Sequence, residues 1–331
     1  MGLQNVKKIL IFGATGNLGS IICNNLSNNY EIVGASPDYE EGRKKWGNKI
    51  RFYDHYQVLN ENNIDFFLKE KFDVIINCAG HNFFDKWTEK NKTIIYNSRI
   101  DVSKTILEIV QKMPGDKRPE VIIFASSVAI YANAPERVDE YAKIRKDINY
   151  FKSLLWHDLE AEILAYTIPG TRIIIPRYGI IISPVSYVKL QLLLAKYYLL
   201  GYLGKENPIV SWISHKDVAG IIELFITNNE LQGIFNVTSP RTIMSDEMAE
   251  GFATVMNRRI LYRIPSSFLK LMFGDRAKIF LYPLNVFPRR LKDANYQWVD
   301  EDYLNALYEI KGELFIKSPF RSHSYEKTDC P

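Results

Sequence analysis

Cysteine is scarce in this sequence. The chain has three cysteines in 331 residues, Cys23, Cys78 and Cys330, which lie far apart and form no CxxC pair. Secreted domains held together by disulfides carry many more cysteines, so we expect reduced thiols and a cytoplasmic protein. The five histidines are equally scattered. We therefore expect no zinc site, which needs several Cys, His or carboxylate ligands close together.

Runs of like charge are also missing. The net charge is +4, and the 42 basic and 38 acidic residues are mixed along the chain. A nucleic-acid-binding arm or face would need clustered Lys and Arg. We therefore expect no nucleic-acid partner, and an RNA-binding function has no basic or aromatic patch to support it.

No hydrophobic run is long enough to cross a bilayer. The main apolar stretch, LQLLLAKYYLLGYLG (190–204), is interrupted by Lys196 and is shorter than the roughly 20 residues that a spanning helix needs. We predict an amphipathic core helix there rather than a membrane-surface helix. The N-terminal MGLQNVKK leads directly into a strand pattern and leaves no room for a signal peptide. We expect no membrane association.

Short β-branched runs recur at regular spacing, with helical patterns between them. Such continuous apolar runs are typical of buried parallel strands. Alternation of strand and helix predicts right-handed βαβ units and an α/β fold, a Rossmann-type doubly wound parallel sheet. The runs are KKILIFG (7–13), EIVGAS (31–36), IRFYD (50–54), DVIINCAG (73–80), EVIIFASS (120–127) and TRIIIPRYG (171–179).

The regular alternation of strand and helix patterns ends after Gly179. This change predicts a second structural unit in the rest of the chain. We assign residues 1–182 to the dinucleotide-binding domain, with 207–239 returning to it. Residues 183–206 and 240–316 are predicted to form a smaller, mainly helical C-terminal lobe that holds the substrate. The polar segment 317–331 is predicted to be a flexible tail.

The stretch GATGNLGS (13–20) directly follows the first strand run and opens a helical pattern. Gly13 would let the chain turn sharply, Gly16 would let the backbone approach a pyrophosphate, and Gly19 would let the helix pack close to the sheet. The free N–H groups at the start of the helix favour phosphate. This context predicts a dinucleotide site rather than a plain turn between strand and helix.

The glycine spacing and several later motifs resemble the extended short-chain dehydrogenase/reductases. The matches that follow in order are NCAG (77–80), SSVAIYA (126–132), PRYGIIISP (176–184) and WISHKDVA (212–219). The resemblance narrows to the YfcH-like epimerase-family proteins, which carry a small C-terminal domain. The segments that resemble this group are DKWTEKNKTIIYNSRIDVSKTI (85–106), IPSSFLKLMFG (264–274) and FPRRLKDANYQWVDEDYLNAL (287–307).

The resemblance implies a set of cofactor-binding residues and two catalytic candidates. Ser127 would hold the substrate oxygen beside the nicotinamide, and Tyr131 would serve as a substitute acid, although a packing role for Tyr131 stays open. The residues implied to bind the cofactor are Gly13, Thr15, Gly16, Asn17, Leu18, Gly19, Ser36, Ala79, Gly80 and Arg177.

The end of the second strand bears on the choice between NADP and NAD. A carboxylate there would bind the adenosine ribose and repel a 2′-phosphate, but the strand ends GAS (34–36), and Asp38 comes two residues later. The arginine usual in NADP-preferring relatives is missing as well. We predict NADP, with NAD left open. The cations Arg43, Lys44 and Lys45 are interpreted as either phosphate ligands or a solvated helix face.

The segment of this sequence that matches the family's catalytic helix lacks the family's catalytic residues. The family's chemistry uses a Tyr and a Lys four residues apart, one helical turn, so that both face the nicotinamide. None of the twenty tyrosines has a Lys at that spacing. The segment YFKSLLWHDLEAEI (150–163) places Phe151 and Leu155 at the two positions. Lys152 and His157, on the same helix, are predicted to be exposed polar residues.

These observations leave two hypotheses. The first is an NADP-dependent oxidoreductase or epimerase-like enzyme whose small-molecule substrate is a carbonyl compound or a sugar nucleotide. The second is an NAD(P)-binding sensor or scaffold with little catalysis, because the Tyr/Lys pair is absent. A homodimer stays open.

Overall fold

The short apolar runs of the sequence form one parallel sheet in the computed structural model, which describes residues 6–60, 63–144, 146–185 and 187–316. The strands follow the order β13-β8-β5-β4-β1-β2-β3, and β6 also pairs with β8. The strands are β1 (Lys8–Phe12), β2 (Glu31–Ser36), β3 (Arg51–Asp54), β4 (Val74–Asn77), β5 (Val121–Phe124), β6 (Ser126–Ser127), β7 (Ala134–Val138), β8 (Arg172–Tyr178), β9 (Ile180–Ile182), β10 (Tyr202–Leu203), β11 (Ile209–Val210), β12 (Trp212–Ser214), β13 (Gly233–Val237), β14 (Ile243–Met244), β15 (Arg263–Ile264) and β16 (Leu284–Val286).

Helices connect the strands and cover both faces of the sheet. They are α1 (Asn17–Leu26), α2 (Tyr39–Trp46), α3 (His55–Val58), α4 (Ile64–Glu70), α5 (Glu89–Lys112), α6 (Phe151–Leu164), α7 (Tyr187–Lys196), α8 (His215–Thr227), α9 (Ser245–Val255), α10 (Ser266–Phe273), α11 (Lys278–Leu281), α12 (Arg289–Asp293) and α13 (Tyr303–Lys311). Among the helices of the described residues, none is long and apolar enough to cross a membrane.

The pleat of β1 divides the apolar core into two layers. Successive side chains of a strand point to opposite faces. Leu10 and Phe12 pack on one face with apolar residues of α5 and α6. Ile9 and Ile11 pack on the other face with apolar residues of α1 and α8. The predicted Rossmann-type α/β fold, with helices on both faces of a parallel sheet, is confirmed.

A third apolar cluster lies outside these two layers. It joins α7, α9 and α13 around Trp212, which is fully buried. This cluster supports a separate C-terminal lobe, but the domain boundaries drawn from the sequence stay a prediction. The predicted flexible tail, 317–331, lies outside the described residues.

The apolar stretch 190–204 is helical over only part of its length, so that prediction was too long. Helix α7 ends at Lys196, and Tyr198 has a positive φ of 60°. A left-handed backbone cannot continue a right-handed helix. The chain then turns into β10, which pairs in parallel with β15.

Candidate functional site

The glycine loop lies at the carboxyl end of β1, between β2 and β4. Gly13 has a φ of +72°, and its N–H donates to the Ala35 carbonyl oxygen at 2.8 Å. A Cβ at Gly13 would lie 2.8 Å from the backbone nitrogen of Ala79. Both the backbone conformation and the lack of space therefore require glycine at this turn.

The other two glycines differ in their surroundings. A Cβ at Gly19 would lie 2.2 Å from the Gly13 carbonyl oxygen, so this glycine lets α1 pack directly on the loop. Gly16 is exposed, and the nearest atom to an added Cβ there is the Gly13 oxygen at 3.1 Å. The outer side of Gly16 is therefore open for a ligand, as a pyrophosphate-binding turn requires.

The first turn of α1 presents backbone donors to this opening. Gly16 is the N-cap and offers no side-chain cap. Within the described residues, no acceptor is found for the N–H groups of Asn17, Leu18 and Gly19. Free N–H groups at a helix N-terminus, together with the helix dipole, favour an anion. The loop therefore fits the diphosphate of a dinucleotide.

Two hydroxyl groups lie between the glycine loop and the end of β2. The oxygens of Thr15 and Ser36 lie 2.5 Å apart, which ties the loop to the end of β2. Asp38 is exposed just beyond that strand. Arg43 on α2 donates to Glu40 Oε1 and to the Phe52 carbonyl oxygen. These contacts favour a solvated helix face over a preformed phosphate site for this cation.

The loop after β4 closes the other side of the site. Asn77 Oδ1 accepts from the Ala79 N–H at 3.0 Å, and its amide donates to Ser103 Oγ. A Cβ at Gly80 would lie 2.4 Å from the guanidinium carbon of Arg99. Arg99 of α5 donates to the carbonyl oxygens of His81 and Ile95, and these bonds hold the loop against α5. Ala79 is thereby placed beside the glycine loop, and Gly80 follows it against the Arg99 guanidinium.

Ser127 ends β6 at the same edge of the sheet. Its hydroxyl accepts from the Ala129 N–H at 3.2 Å and lies 3.4 Å from the Tyr178 carbonyl oxygen. Ser127 lines a cavity of about 440 Å³ between the sheet edge and the C-terminal segments. This volume lies within the range typical of small-molecule sites.

Tyr131 and Arg177 belong to a buried network instead. The Tyr131 hydroxyl accepts from Arg177 Nη1 at 2.8 Å, and it lies 3.0 Å from both Asn236 Oδ1 and the Asp139 carbonyl oxygen. Arg177 also donates twice to Glu160. Neither residue is among the described residues that line the cavity. The geometry favours packing and ordering roles for both, so their catalytic and cofactor roles stay predictions.

The replaced catalytic pair is apolar in the structure as well as in the sequence. Leu155 is fully buried in α6. The Phe151 ring packs edge-on against Trp87, with centroids 5.3 Å apart. Neither side chain supplies a group that binds a ribose or transfers a proton.

Two residues that flank Phe151 line the cavity, and the sequence prediction missed them. Lys152 was predicted to be exposed, which is wrong: it is half-buried on the cavity wall, beside the Phe83 ring. Tyr150 lies on the same wall, and burial raises the pKa of its phenol, which therefore stays protonated at neutral pH. The signal available in the sequence was their position beside Phe151 at the start of α6.

Comparisons with known proteins agree with this architecture. The model of the NAD dependent epimerase/dehydratase family matches residues 9–238. The epimerase family protein SAR0825 of Staphylococcus aureus (strain MRSA252) is 26% identical over 309 residues, covering 92% of this chain and 99% of that protein. The epimerase family protein YfhF of Bacillus subtilis (strain 168) is 27% identical over 240 residues, covering 72% and 78%.

Solved structures share the fold. Human epimerase family protein SDR39U1 (isoform 2), crystallised with NADPH, has a TM-score of 0.77 at 24% identity, covering 92% of this chain and 98% of that chain. The UDP-glucose 4-epimerase of Thermus thermophilus, crystallised in complex with NAD, has a TM-score of 0.71 at 17% identity, covering 94% and 99%.

Proposed function

The chain belongs to the NAD dependent epimerase/dehydratase family, as its motifs predicted, and from this premise we propose that it is an NADP-dependent oxidoreductase or epimerase-like enzyme. One observation carries the proposal. The free N–H groups of α1, the Ser127 hydroxyl and the cavity all lie at the carboxyl edge of one parallel sheet. Ligands of open α/β sheets bind at this edge.

Different residues of the chain would bind different parts of the cofactor and the substrate. A nicotinamide cofactor, when bound, supplies or accepts a hydride. The N–H groups of Asn17, Leu18 and Gly19 would hold its diphosphate, Thr15 and Ser36 would face its adenosine, and Ala79 and Gly80 would lie beside it. Ser127 would donate a hydrogen bond to the substrate oxygen, where charge develops during reaction.

We propose NADP over NAD, and two observations bear on the choice. The end of β2 carries no carboxylate that would repel a 2′-phosphate, and the human relative was crystallised with NADPH. The Thermus relative was crystallised with NAD, so the preference rests on the first observation. The cytoplasmic location and the homodimer also stay predictions.

A second function is favoured by the apolar pair Phe151 and Leu155. Without the tyrosine and lysine of the family, general acid catalysis that typically contributes about 10²–10⁴-fold in rate is missing. The diphosphate site does not depend on this pair. An NAD(P)-binding sensor or scaffold therefore remains the alternative to an enzyme.

The first test separates cofactor binding from no binding. NADPH affinity is measured by calorimetry for the wild type, for Gly16→Val and for Gly115→Val as a matched control, since a Cβ at Gly115 meets no described atom within 4 Å. We expect Gly16→Val to abolish binding and the control to bind normally. Equal binding by Gly16→Val would exclude the loop as the phosphate site.

The second test separates the enzyme from the sensor. NADPH oxidation is followed with a panel of carbonyl compounds and sugar nucleotides. Turnover that Ser127→Ala lowers supports the enzyme. Tight NADPH binding without turnover on any compound supports the sensor or scaffold.

A further inference from the structure

The cavity beside Ser127 is apolar over most of its wall. Its apolar side chains come from α7, α9, α10 and α11 and the turns between them, among them Leu194, Leu200, Met248, Phe252, Leu269 and Phe280. Apolar wall surface favours a ligand whose apolar atoms leave water on binding. The body of the ligand is therefore expected to be apolar.

The cavity wall carries a single charged group. Lys152 is the one charged side chain among the described residues that line it. Its ammonium lies 5.1 Å from the centroid of the Phe83 ring, and no described carboxylate pairs with it. Burial, with a smaller contribution from Arg99, lowers the pKa of Lys152 to about 8. An unpaired ammonium in such a place is stabilised by an anionic partner.

A sugar nucleotide fits this wall poorly. Its diphosphate and hydroxyl groups each need a hydrogen-bond partner once buried. Lys152 is the one cation among the described lining residues, so one of the two negative charges of a buried diphosphate would be left without a counter-charge. The UDP-glucose 4-epimerase of Thermus thermophilus, which shares the fold, therefore does not set the ligand class of this cavity.

We propose that the cavity binds an amphipathic carboxylate, with its apolar body against the α7, α9 and α10 side chains and its carboxylate at Lys152. To call this ligand the substrate rests on the function proposed above, and the substrate must then carry a ketone, aldehyde or alcohol carbon besides the carboxylate, because NADPH does not reduce a free carboxylate. Its binding does not rest on that function, because affinity is measured without turnover. Ser127 and Tyr150 line the same cavity as Lys152, so two hydroxyls are available to the head group as well.

The test uses decanoate as probe on the full-length protein, with decan-1-ol, acetate and UDP-glucose for comparison, by calorimetry. We expect decanoate to bind more tightly than each of the other three. Lys152→Met should weaken decanoate roughly 10–100-fold, the value of one charge-assisted bond, and leave decan-1-ol unchanged. Lys189→Met, the same change on an exposed lysine of α7, is the matched control and should bind decanoate normally.

A second variant tests the apolar part. Ala249→Phe fills the cavity from α9 and should weaken decanoate and decan-1-ol alike, while retained NADPH binding shows that the variant is folded. Tighter binding of UDP-glucose than of decanoate, or an unchanged decanoate affinity in Lys152→Met, overturns the proposal. Decanoate binding in a protein that turns over no compound of the panel supports this inference and the sensor or scaffold over the enzyme, so the two failures are distinguishable.

Discussion

Glu160 and Arg177 form a two-point ion pair in the protein interior. Arg177 Nε lies 2.9 Å from Glu160 Oε1, and Nη2 lies 2.6 Å from Oε2. Both side chains are almost completely buried, at 4% and 3% exposure. The pair joins α6 to β8, the strand that leads into the cavity wall at Tyr178. It therefore fixes the catalytic-helix segment of the family against the sheet.

The first prediction concerns the stability that depends on this pair. Glu160→Gln keeps the shape of the side chain but leaves the Arg177 guanidinium without a counter-charge in the interior. Breaking a buried pair in this way typically costs about 3–5 kcal/mol, so we expect a free energy of unfolding lower by that amount in urea denaturation. Glu162→Gln, two residues further on α6 and without a described salt bridge, should change it by less than about 0.5 kcal/mol.

The second prediction concerns cofactor choice. Ser36→Asp places a carboxylate at the end of β2, where it repels a 2′-phosphate and accepts a bond from the ribose hydroxyl. We expect the ratio of NADPH to NADH affinity to fall by roughly 10–100-fold. Asn28→Asp makes the same charge change at an exposed residue and should leave the ratio unchanged. A wild-type protein that prefers NADH would refute the NADP proposal.

The third prediction concerns the two described cysteines. Burial raises the pKa of Cys23 to about 12 and raises that of Cys78 as well. Only the thiolate reacts, and an unfolded thiol has a pKa near 8.5. In a Cys330→Ser background at pH 8, we expect disulfide reagents to react at least about 100-fold more slowly with the native than with the unfolded protein.

The reaction rates of the native and the unfolded protein should depend on pH in different ways. The rate in urea should rise and level off as pH passes about 8.5, whereas the native rate should still be rising at pH 10, because both thiols remain mostly protonated there. A fast native thiol at pH 8 would mean that Cys23 is not held in the apolar interior or that the half-buried Cys78 is open to the reagent.

The sequence predicted the parallel sheet because its strands are buried on both faces and read as unbroken β-branched runs. Ile9 to Phe12 illustrate this, since alternate residues enter two different apolar layers. The glycine loop could be predicted equally well, because Gly13 and Gly19 each meet a local steric demand and Gly16 leaves its outer side open.

The residues of the cavity wall could not be predicted from the sequence in the same way. Lys152 looks like a surface lysine in the sequence, and only the packing of the 78–88 loop and the C-terminal helices around α6 encloses it. Tyr131 shows the opposite case. A motif placed it near the nicotinamide, but Asn236, 105 residues away, fixes its hydroxyl in the interior. Contacts between residues so distant in sequence carry no local pattern.

The last prediction separates Ser127 from Tyr131 as contributors to catalysis, on any carbonyl substrate that the protein turns over. Tyr131→Phe removes one hydroxyl from a network with Arg177 and Asn236, which should lower the free energy of unfolding by about 1–2 kcal/mol. Because that hydroxyl does not line the cavity, the turnover rate should change by less than about threefold. Ser127→Ala removes a donor at the cavity wall and should lower the turnover rate by roughly 10²-fold, with little effect on stability.

The two readouts decide between the roles that the sequence left open for Tyr131. A stability loss with the turnover rate retained assigns it to packing, and the proton then comes from another group; Tyr150 and Lys152 are two candidates among the residues that line the cavity. If Tyr131→Phe instead slows turnover by about 10²–10⁴-fold, the range expected for lost general acid catalysis, Tyr131 is the acid. That result would require the network around Arg177 to open during turnover, because the hydroxyl is enclosed in the structure.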